Sequence, residues 1–256
     1  MKQFVATILS NRSICSDFFE MTFSWDDTVS APMPGQFFTV RISRDTVPLL
    51  RRPFAFSAFD AAEATASMIY QKRGLGTEML TGKKKGDFLD VLGPLGKAFS
   101  TPDREKKALL VAGGIGLGPV MFLASAIISQ GVDTTMIFGC RNVALIPSTD
   151  TFHTLSPVIC TDDGSSGFKG TTGDYLASIE SSITAQTRVF ACGPMPMLKA
   201  CHDIALRRGC DCFVSVEQVM ACGLGACMGC AVRMAPGGYK RACIEGPVFD
   251  SREIQW

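Results

Sequence analysis

The spacing of hydrophobic positions changes near residue 100. Before that point, apolar residues occur in short runs such as Phe37–Ile42 and Ala66–Tyr70, and prolines, glycines and aspartates separate the runs. Short β-prone runs between turn residues predict strands, and several strands at this spacing are typical of a barrel or a sandwich. We therefore expect residues 1–100 to form a β-barrel domain.

After a polar connector, Thr101–Lys107, strand-like runs alternate with helical segments. Ala108–Ala112 predicts a buried strand, and Gly113–Pro119 predicts a glycine turn that opens a helix. Further strands and helices follow until Gly209, which stands where a helix should end. This alternation predicts a parallel, doubly wound α/β sheet over residues 101–213.

Residues 108–130 contain no charged side chain and are numerous enough to cross a bilayer. The glycines at the centre of this stretch predict a turn that divides it into a strand and a helix. The first residues, Met1–Ile8, alternate like a strand and lack the apolar core of a signal peptide. We therefore predict neither a transmembrane segment nor a signal peptide.

Three loops are predicted at the carboxyl ends of the parallel strands, where doubly wound sheets bind ligands. They contain Gly114 and Gly116, Asp163, and Cys192–Gly193, which we expect to bind NAD(H). The glycine run departs from G-x-G-x-x-G because its third glycine comes one place early, although a glycine turn before a helix still offers amides to a pyrophosphate. The carboxylates of Asp162 and Asp163 favour NAD over NADP, since they would repel a 2′-phosphate; ordinary Asx turns are the alternative.

Two features of the first 100 residues could bind a flat, phosphorylated cofactor. Arg51–Ser57 places a guanidinium beside an aromatic side chain at a strand edge, where the guanidinium could pair with a pyrophosphate. Tyr70–Leu80 predicts a strand, a glycine turn and the start of a helix with Thr77 as its N-cap, and helix N-termini attract phosphate. A solvated arginine pair and an ordinary turn are the alternative interpretations.

Four cysteines near the C-terminal end have the spacing C-x4-C-x2-C-x12-C: Cys222, Cys227, Cys230 and Cys243. This spacing is typical of the thiolates that hold a plant-type [2Fe–2S] cluster, and we expect it to form a small iron–sulfur module over residues 214–256. Glycines 223, 225 and 229 should allow positive φ angles in the ligand loop and bring backbone amides close to the sulfurs. Zinc or disulfides are the alternatives, but zinc sites usually contain two C-x2-C pairs, and only one is present.

Composition narrows the class of protein further. The 256 residues carry a formal net charge of +1, which gives no electrostatic footprint for nucleic acid or an acidic membrane. Eleven cysteines suggest a reducing compartment, so we expect a cytoplasmic protein. Only two histidines are present, and little else resembles acid–base equipment for an organic substrate.

In this order, these motifs resemble the ferredoxin–NADP reductase superfamily, in which an FAD-binding barrel precedes a nucleotide-binding α/β domain. With the cysteine motif added, the chain is similar over its whole length to the electron-transfer subunits of type B dihydroorotate dehydrogenases. The resemblance rests on Arg52–Ala55, Gly76–Thr77, Leu92–Gly96, Gly113–Pro119, Asp163–Gly164, Cys192–Met195 and Glu217–Cys230.

The resemblance implies cofactors, residues and a partner. FAD would be held by Arg52, Pro53, Phe54, Ala55, Ile69, Tyr70, Gln71, Gly76 and Thr77. Electrons would pass between NAD(H), FAD, the [2Fe–2S] cluster and an FMN-containing catalytic subunit in a heterotetramer. That subunit would oxidise dihydroorotate to orotate in pyrimidine biosynthesis. One departure concerns the superfamily's R-x-Y-S motif, which loses its Tyr and Ser hydroxyls to Phe54 and Ala55. A backbone group or a neighbour such as Ser57 would have to replace the flavin-facing hydrogen bond.

Two alternatives remain. The same architecture serves other NAD(P)H-linked assemblies, such as sulfhydrogenase or ferredoxin-dependent reductase subunits. A protein-binding module stabilised by a structural metal would be a different class. A flavin and a brown colour in the purified protein would favour the redox interpretation over the zinc-stabilised module.

Overall fold

An antiparallel sheet of seven strands forms the first part of the computed structural model, which describes residues 1–101 and 105–256. Its strand order is β4-β3-β7-β1-β2-β6-β5, and β4 contacts β6, so the sheet curls around an aromatic core that includes Phe23, Phe38 and Phe56. The bounds are β1 Lys2–Cys15, β2 Phe18–Ser24, β3 Phe37–Arg41, β4 Arg52–Ala55, β5 Ala58–Asp60, β6 Thr65–Gln71, α1 Leu75–Thr81 and β7 Phe88–Leu95.

The second sheet has six parallel strands and one antiparallel strand. Its order is β11-β10-β9-β8-β12-β13-β16, so the chain reverses its direction of winding between β8 and β12. The bounds are β8 Lys107–Gly113, α2 Leu117–Ile128, β9 Thr134–Cys140, α3 Asp150–Thr154, β10 Val158–Thr161, β11 Phe168–Lys169, α4 Thr172–Ser178, β12 Thr187–Cys192, α5 Met195–Arg208, β13 Asp211–Ser215 and β16 Val248–Asp250.

The predicted fold class, a β-barrel followed by a doubly wound α/β sheet, is confirmed. The uncharged stretch from 108 to 130 divides at its glycines into β8 and α2, as predicted. Within residues 1–101 and 105–256, no helix combines the length and apolar character that a membrane crossing requires. Of the predicted polar connector, residues 102–104 lie outside the described part of the chain.

Local signals determine where the helices of the second sheet begin and end. Helix α4 begins after Thr171, whose hydroxyl accepts from the Asp174 amide while the Asp174 carboxylate accepts from the Thr171 amide. Helix α5 begins after Pro194 and ends at Gly209, whose φ of 65° favours glycine.

The C-terminal segment packs on both sheets. It forms a hairpin from β14 (Ala231–Arg233) and β15 (Tyr239–Arg241), and then β16 pairs with β13 at the edge of the second sheet. Further along, Trp256 stacks on His202 of α5. A segment of this length has little core of its own, so these contacts supply the burial that it needs. The predicted boundaries after residues 100 and 213 remain predictions.

Candidate functional site

Strand β4 and helix α1 bring Arg52 and Gly76 together. A Cβ atom at Gly76 would lie 3.5 Å from Arg52 Nε, an ordinary contact distance, so the helix lies directly against the guanidinium. Arg52 remains partly exposed, and its Nη1 donates to the Leu50 carbonyl at 2.6 Å. The result is an accessible cation beside the first turn of a helix, which suits an anionic group such as a pyrophosphate.

The adjacent Arg51 binds Asp90 and not α1. Its Nη2 pairs with Asp90 Oδ1 at 2.6 Å, and its Nη1 donates to the Asp90 carbonyl at 3.0 Å. Arg51 therefore ties β4 to β7, while Arg52 is the arginine directed toward α1.

The Thr77 prediction is wrong in its position within the helix. Helix α1 begins at Leu75 with Gly74 as its N-cap, and Thr77 is the third helical residue. The Thr77 hydroxyl accepts from the Arg73 amide at 2.9 Å and from the Gly74 amide at 3.2 Å. Thr77 therefore fixes the turn that places Gly76 against Arg52.

Strand β6 lies beside β4 in the same cradle. The Phe54 and Tyr70 rings lie 6.2 Å apart, and Ile69 and Tyr70 are buried. The Tyr70 hydroxyl donates to Asn11 Oδ1 at 2.9 Å, while burial raises the pKa of Tyr70 to about 12. Tyr70 is therefore a fixed wall of the cradle, and Gln71, at the end of the strand, is partly exposed.

The flavin-facing hydrogen bond expected of Ser57 stays a prediction. The hydroxyl oxygen of Ser57 is enclosed by protein and has no hydrogen-bond partner among the described residues. Its Cβ lies 3.5 Å from where a Cβ would stand at Gly118 of α2. Ser57 therefore packs the barrel against α2.

The loops that follow β8 and β12 touch through their backbones. A Cβ at Gly116 would lie 2.0 Å from the Cys192 carbonyl oxygen, and one at Gly193 would lie 3.0 Å from the Gly113 Cα. No side chain fits at either place. Gly114, with φ of 53°, has open space where its Cβ would be. This contact lies where the winding reverses, which is the usual place for a nucleotide in such sheets.

Cys192 sits at this contact beside a residue that the sequence analysis did not single out. Cys192 is the register partner of Ser215 at the end of β13. Burial raises the pKa of Cys192 to about 12, so the thiol stays protonated at neutral pH. Ser215 could have been identified because it ends β13 at the same level as Cys192 ends β12.

Asp163 lies apart from the other predicted nucleotide-binding residues. It follows β10, which is separated from β8 by β9. Its Oδ1 accepts from the Ser165 amide at 2.9 Å in an Asx turn, and the Ser165 side chain first and then this amide lower the pKa of the carboxyl. Arg141, which directly follows β9, is exposed between the two loops.

The cysteine loop provides backbone donors for its own sulfurs. The Leu224 amide donates to Cys222 Sγ at 3.3 Å, and the Gly229 amide donates to Cys227 Sγ at 3.4 Å. The Leu224 amide chiefly lowers the pKa of Cys222 to about 6. Gly223 and Gly225 have the expected positive φ angles, but Met228, not Gly229, is the third residue with positive φ.

The predicted ligands lie close enough to influence each other's titration. Cys227 helps to lower the pKa of Cys222, and Cys230 helps to raise that of Cys243. Burial first, and then Cys230, raise the pKa of Cys243 to about 12. No three His, Cys, Asp or Glu side chains in the described ranges are grouped as ligands of one metal ion. Four cysteines, two of whose sulfurs accept from backbone amides, fit a cluster with two irons and two thiolates per iron.

The cysteine loop packs on the barrel. A Cβ at Gly223 would lie 3.2 Å from Thr39 Cγ2 in β3, and Thr39 pairs with Pro53 of β4. One strand therefore separates the cysteine loop from the strand that carries Arg52.

Comparison with known proteins identifies a family to which this chain is similar. Residues 217–255 match the sequence model of the iron-sulfur cluster binding domain of dihydroorotate dehydrogenase B. The electron transfer subunit of dihydroorotate dehydrogenase B (NAD(+)) from Caldanaerobacter subterraneus subsp. tengcongensis is 39% identical over 253 residues, 97% of each chain. The corresponding subunit from Geobacillus sp. (strain WCH70) is 35% identical and covers 99% of each chain.

Solved structures agree on the fold. A structure of an NADH-dependent reduced ferredoxin-NADP oxidoreductase aligns with 98% of this chain and 90% of its own, with a TM-score of 0.86 and 29% identity. A ferredoxin NADP+ reductase from Neisseria gonorrhoeae, with bound FAD and NADP, aligns with 82% of this chain and 92% of its own. Its TM-score is 0.69, and at 17% identity it shows the fold alone.

Replacing Arg52 tests the flavin cradle. Arg52→Ala should reduce FAD affinity about 30- to 1000-fold, or ~2–4 kcal/mol, because a charge-assisted contact to the pyrophosphate is lost. Flavin content after gel filtration and a titration with FAD measure this, and iron content should not change. Arg51→Ala, which removes the neighbouring guanidinium from Asp90, is the matched control and should retain FAD. Equal flavin occupancy in Arg52→Ala and the unmodified protein would contradict the assignment.

Replacing Gly116 tests the nucleotide loops. Gly116→Ala pushes a methyl group into the Cys192 carbonyl and should raise the KM for NADH at least about tenfold while FAD and iron stay bound. NADH oxidation with an artificial acceptor measures this effect. Gly118→Ala is the control, since a Cβ there meets Ser57 and Ile69 at ordinary contact distances. The site would lie elsewhere if the two variants had the same KM.

Proposed function

The chain belongs to the electron transfer subunits of dihydroorotate dehydrogenase B, and from its three sites we propose how it works in that role. It passes electrons between NAD and the flavin of a catalytic subunit, which oxidises dihydroorotate to orotate in pyrimidine biosynthesis. The cysteine loop occupies one end of the path and the glycine loops of the second sheet the other. The barrel cradle lies between them.

The contact of the cysteine loop with β3 carries this proposal. Gly223 lies against Thr39, and β3 is hydrogen-bonded to the strand that contains Arg52. On the other side of the barrel, Ser57 packs on α2, which begins directly after the Gly116 loop. Neighbouring candidate sites are therefore separated by no more than one strand or one helix.

Each site contributes a different kind of group. Arg52 and the first turn of α1 bind the FAD pyrophosphate, with Pro53, Phe54, Ala55, Ile69, Tyr70, Gln71, Gly76 and Thr77 forming the cradle. Gly114, Gly116, Cys192 and Gly193 admit NAD(H), with Asp163 toward its ribose. Cys222, Cys227, Cys230 and Cys243 hold the cluster. When bound, these groups supply hydride exchange at the flavin and single-electron exchange at the cluster.

An apolar rim around the cysteine loop is the proposed partner surface. Val219, Leu224, Met228 and Ile244 are 83%, 45%, 51% and 41% exposed. Exposed apolar side chains grouped at one place mark interaction surfaces, and an electron carrier must approach its acceptor. The FMN-containing catalytic subunit would cover this rim, and two copies of each subunit would form a heterotetramer.

A cytoplasmic location follows from the same proposal. None of the eleven cysteines is paired in a disulfide, and four of them lie in the cluster loop and its hairpin. Free thiols in this number persist in a reducing compartment.

A second candidate is a subunit that exchanges electrons with ferredoxin. The likeness to an NADH-dependent reduced ferredoxin-NADP oxidoreductase, with a TM-score of 0.86, favours it. The two candidates differ in their electron donor, which the following experiment uses.

Removing one cluster ligand tests the proposed function. In a complex with the dihydroorotate dehydrogenase catalytic subunit of the same organism, the chain should support dihydroorotate-dependent reduction of NAD. Cys243→Ser should abolish that reaction and the iron content, while NADH still reduces the bound flavin. The control is Cys210→Ser, a buried cysteine outside the motif, which should keep both activities. NAD reduction by reduced ferredoxin but not by dihydroorotate would select the second candidate.

Charges placed on the rim test the partner surface. Leu224→Glu or Met228→Glu should weaken association with the catalytic subunit, because a carboxylate would lose its hydration on binding. Reduction of this chain's flavin by NADH should remain unchanged. Leu206→Glu, on α5 and 63% exposed, is a matched control. The interface would have to lie elsewhere if the rim variants and the control bound the catalytic subunit equally well.

A further inference from the structure

An arginine that no motif identified is held against the cysteine loop. Arg241 ends β15, two residues before Cys243. Its Nη1 donates to the Gly225 carbonyl at 2.7 Å, in the loop between Cys222 and Cys227. The side chain therefore connects the two segments that provide the four thiols.

Glu245 fixes this guanidinium in place. Glu245 Oε2 accepts from Arg241 Nε at 3.0 Å and from the Arg241 backbone amide at 2.7 Å. Both side chains are only about a third exposed, so solvent screens their charges incompletely.

The guanidinium contacts the cysteine loop through Nη1, while Glu245 binds its Nε. A Cβ at Gly225 would lie 3.1 Å from Arg241 Nη1, so the positive end of the pair lies directly on the loop.

We propose that Arg241 raises the reduction potential of the cluster and that Glu245 moderates this effect, an inference that rests on the proposed function. A cluster with four thiolates is negatively charged and gains one further negative charge on reduction. A fixed cation beside it stabilises the reduced form more than the oxidised form. Arg241 thereby adjusts the cluster for exchange with the flavins on its two sides.

Redox titration of the complete protein, followed by the EPR signal of the reduced cluster, tests this proposal. Arg241→Gln should lower the potential by an amount equal to about a tenfold change in the oxidised-to-reduced ratio, ~59 mV for one electron. Arg241→Lys should stay close to the unmodified protein, and Glu245→Gln should raise the potential. Arg233→Gln removes the same charge from an exposed position at the other end of the hairpin and should cause no shift.

Opposite shifts in Arg241→Gln and Glu245→Gln distinguish an electrostatic role from a structural one. If Arg241→Gln loses the cluster, an intact cluster in Arg241→Lys and a raised potential in Glu245→Gln still support the proposal. A potential in Arg241→Gln equal to that of Arg233→Gln would overturn it, as would an unshifted Glu245→Gln. Absence of iron and sulfide from the unmodified protein would instead overturn the proposed function itself.

Discussion

The arrangement of the whole chain depends on one shared apolar core. Phe37 and Leu95 of the barrel, Val189 and Val214 of the second sheet, and Cys243 of the C-terminal segment belong to the same buried cluster. Hydrophobic burial is the main favourable term in folding, and the C-terminal segment cannot supply enough of it alone. The segment therefore gains its stability where it touches both sheets, and this requirement places the cysteine loop next to the barrel.

Close backbone approach completes this arrangement. The loops after β8 and β12 meet at Gly116 and the Cys192 carbonyl, and the cysteine loop meets β3 at Gly223. In both places the missing side chain shortens the distance between segments that supply different sites. Electron carriers must be held close together to exchange electrons, so the contacts that stabilise the fold also define the proposed path.

Much of the fold could be predicted from local patterns. The division of residues 108–130 into β8 and α2 follows from its glycines, and the end of α5 follows from Gly209. The pairing of β16 with β13 could not be predicted, since β16 has three residues and its partner lies over thirty positions earlier. A strand that short carries no periodic signal of its own.

Local sequence patterns likewise predict only part of the candidate site. The cysteine spacing predicts a ligand set, but it could not show that Met228 would take the positive φ angle expected of Gly229. Asp163 was predicted from its place after a strand, and only the strand order shows that β9 separates its strand from β8. Arg241 could not be identified from the sequence. Its contacts with Gly225 and Glu245 come together only when the hairpin folds back on the loop.

The most direct test of the account is an anaerobic titration of the isolated chain with NADH, followed by flavin absorbance and by EPR. The central claim is that electrons pass between NAD and the cluster within this chain. NADH should therefore bleach the flavin and produce the signal of a reduced [2Fe–2S] cluster without any partner, whereas dihydroorotate should produce neither change. A cluster that stays oxidised after the flavin is fully reduced by NADH, in protein with complete iron and FAD content, would contradict the account.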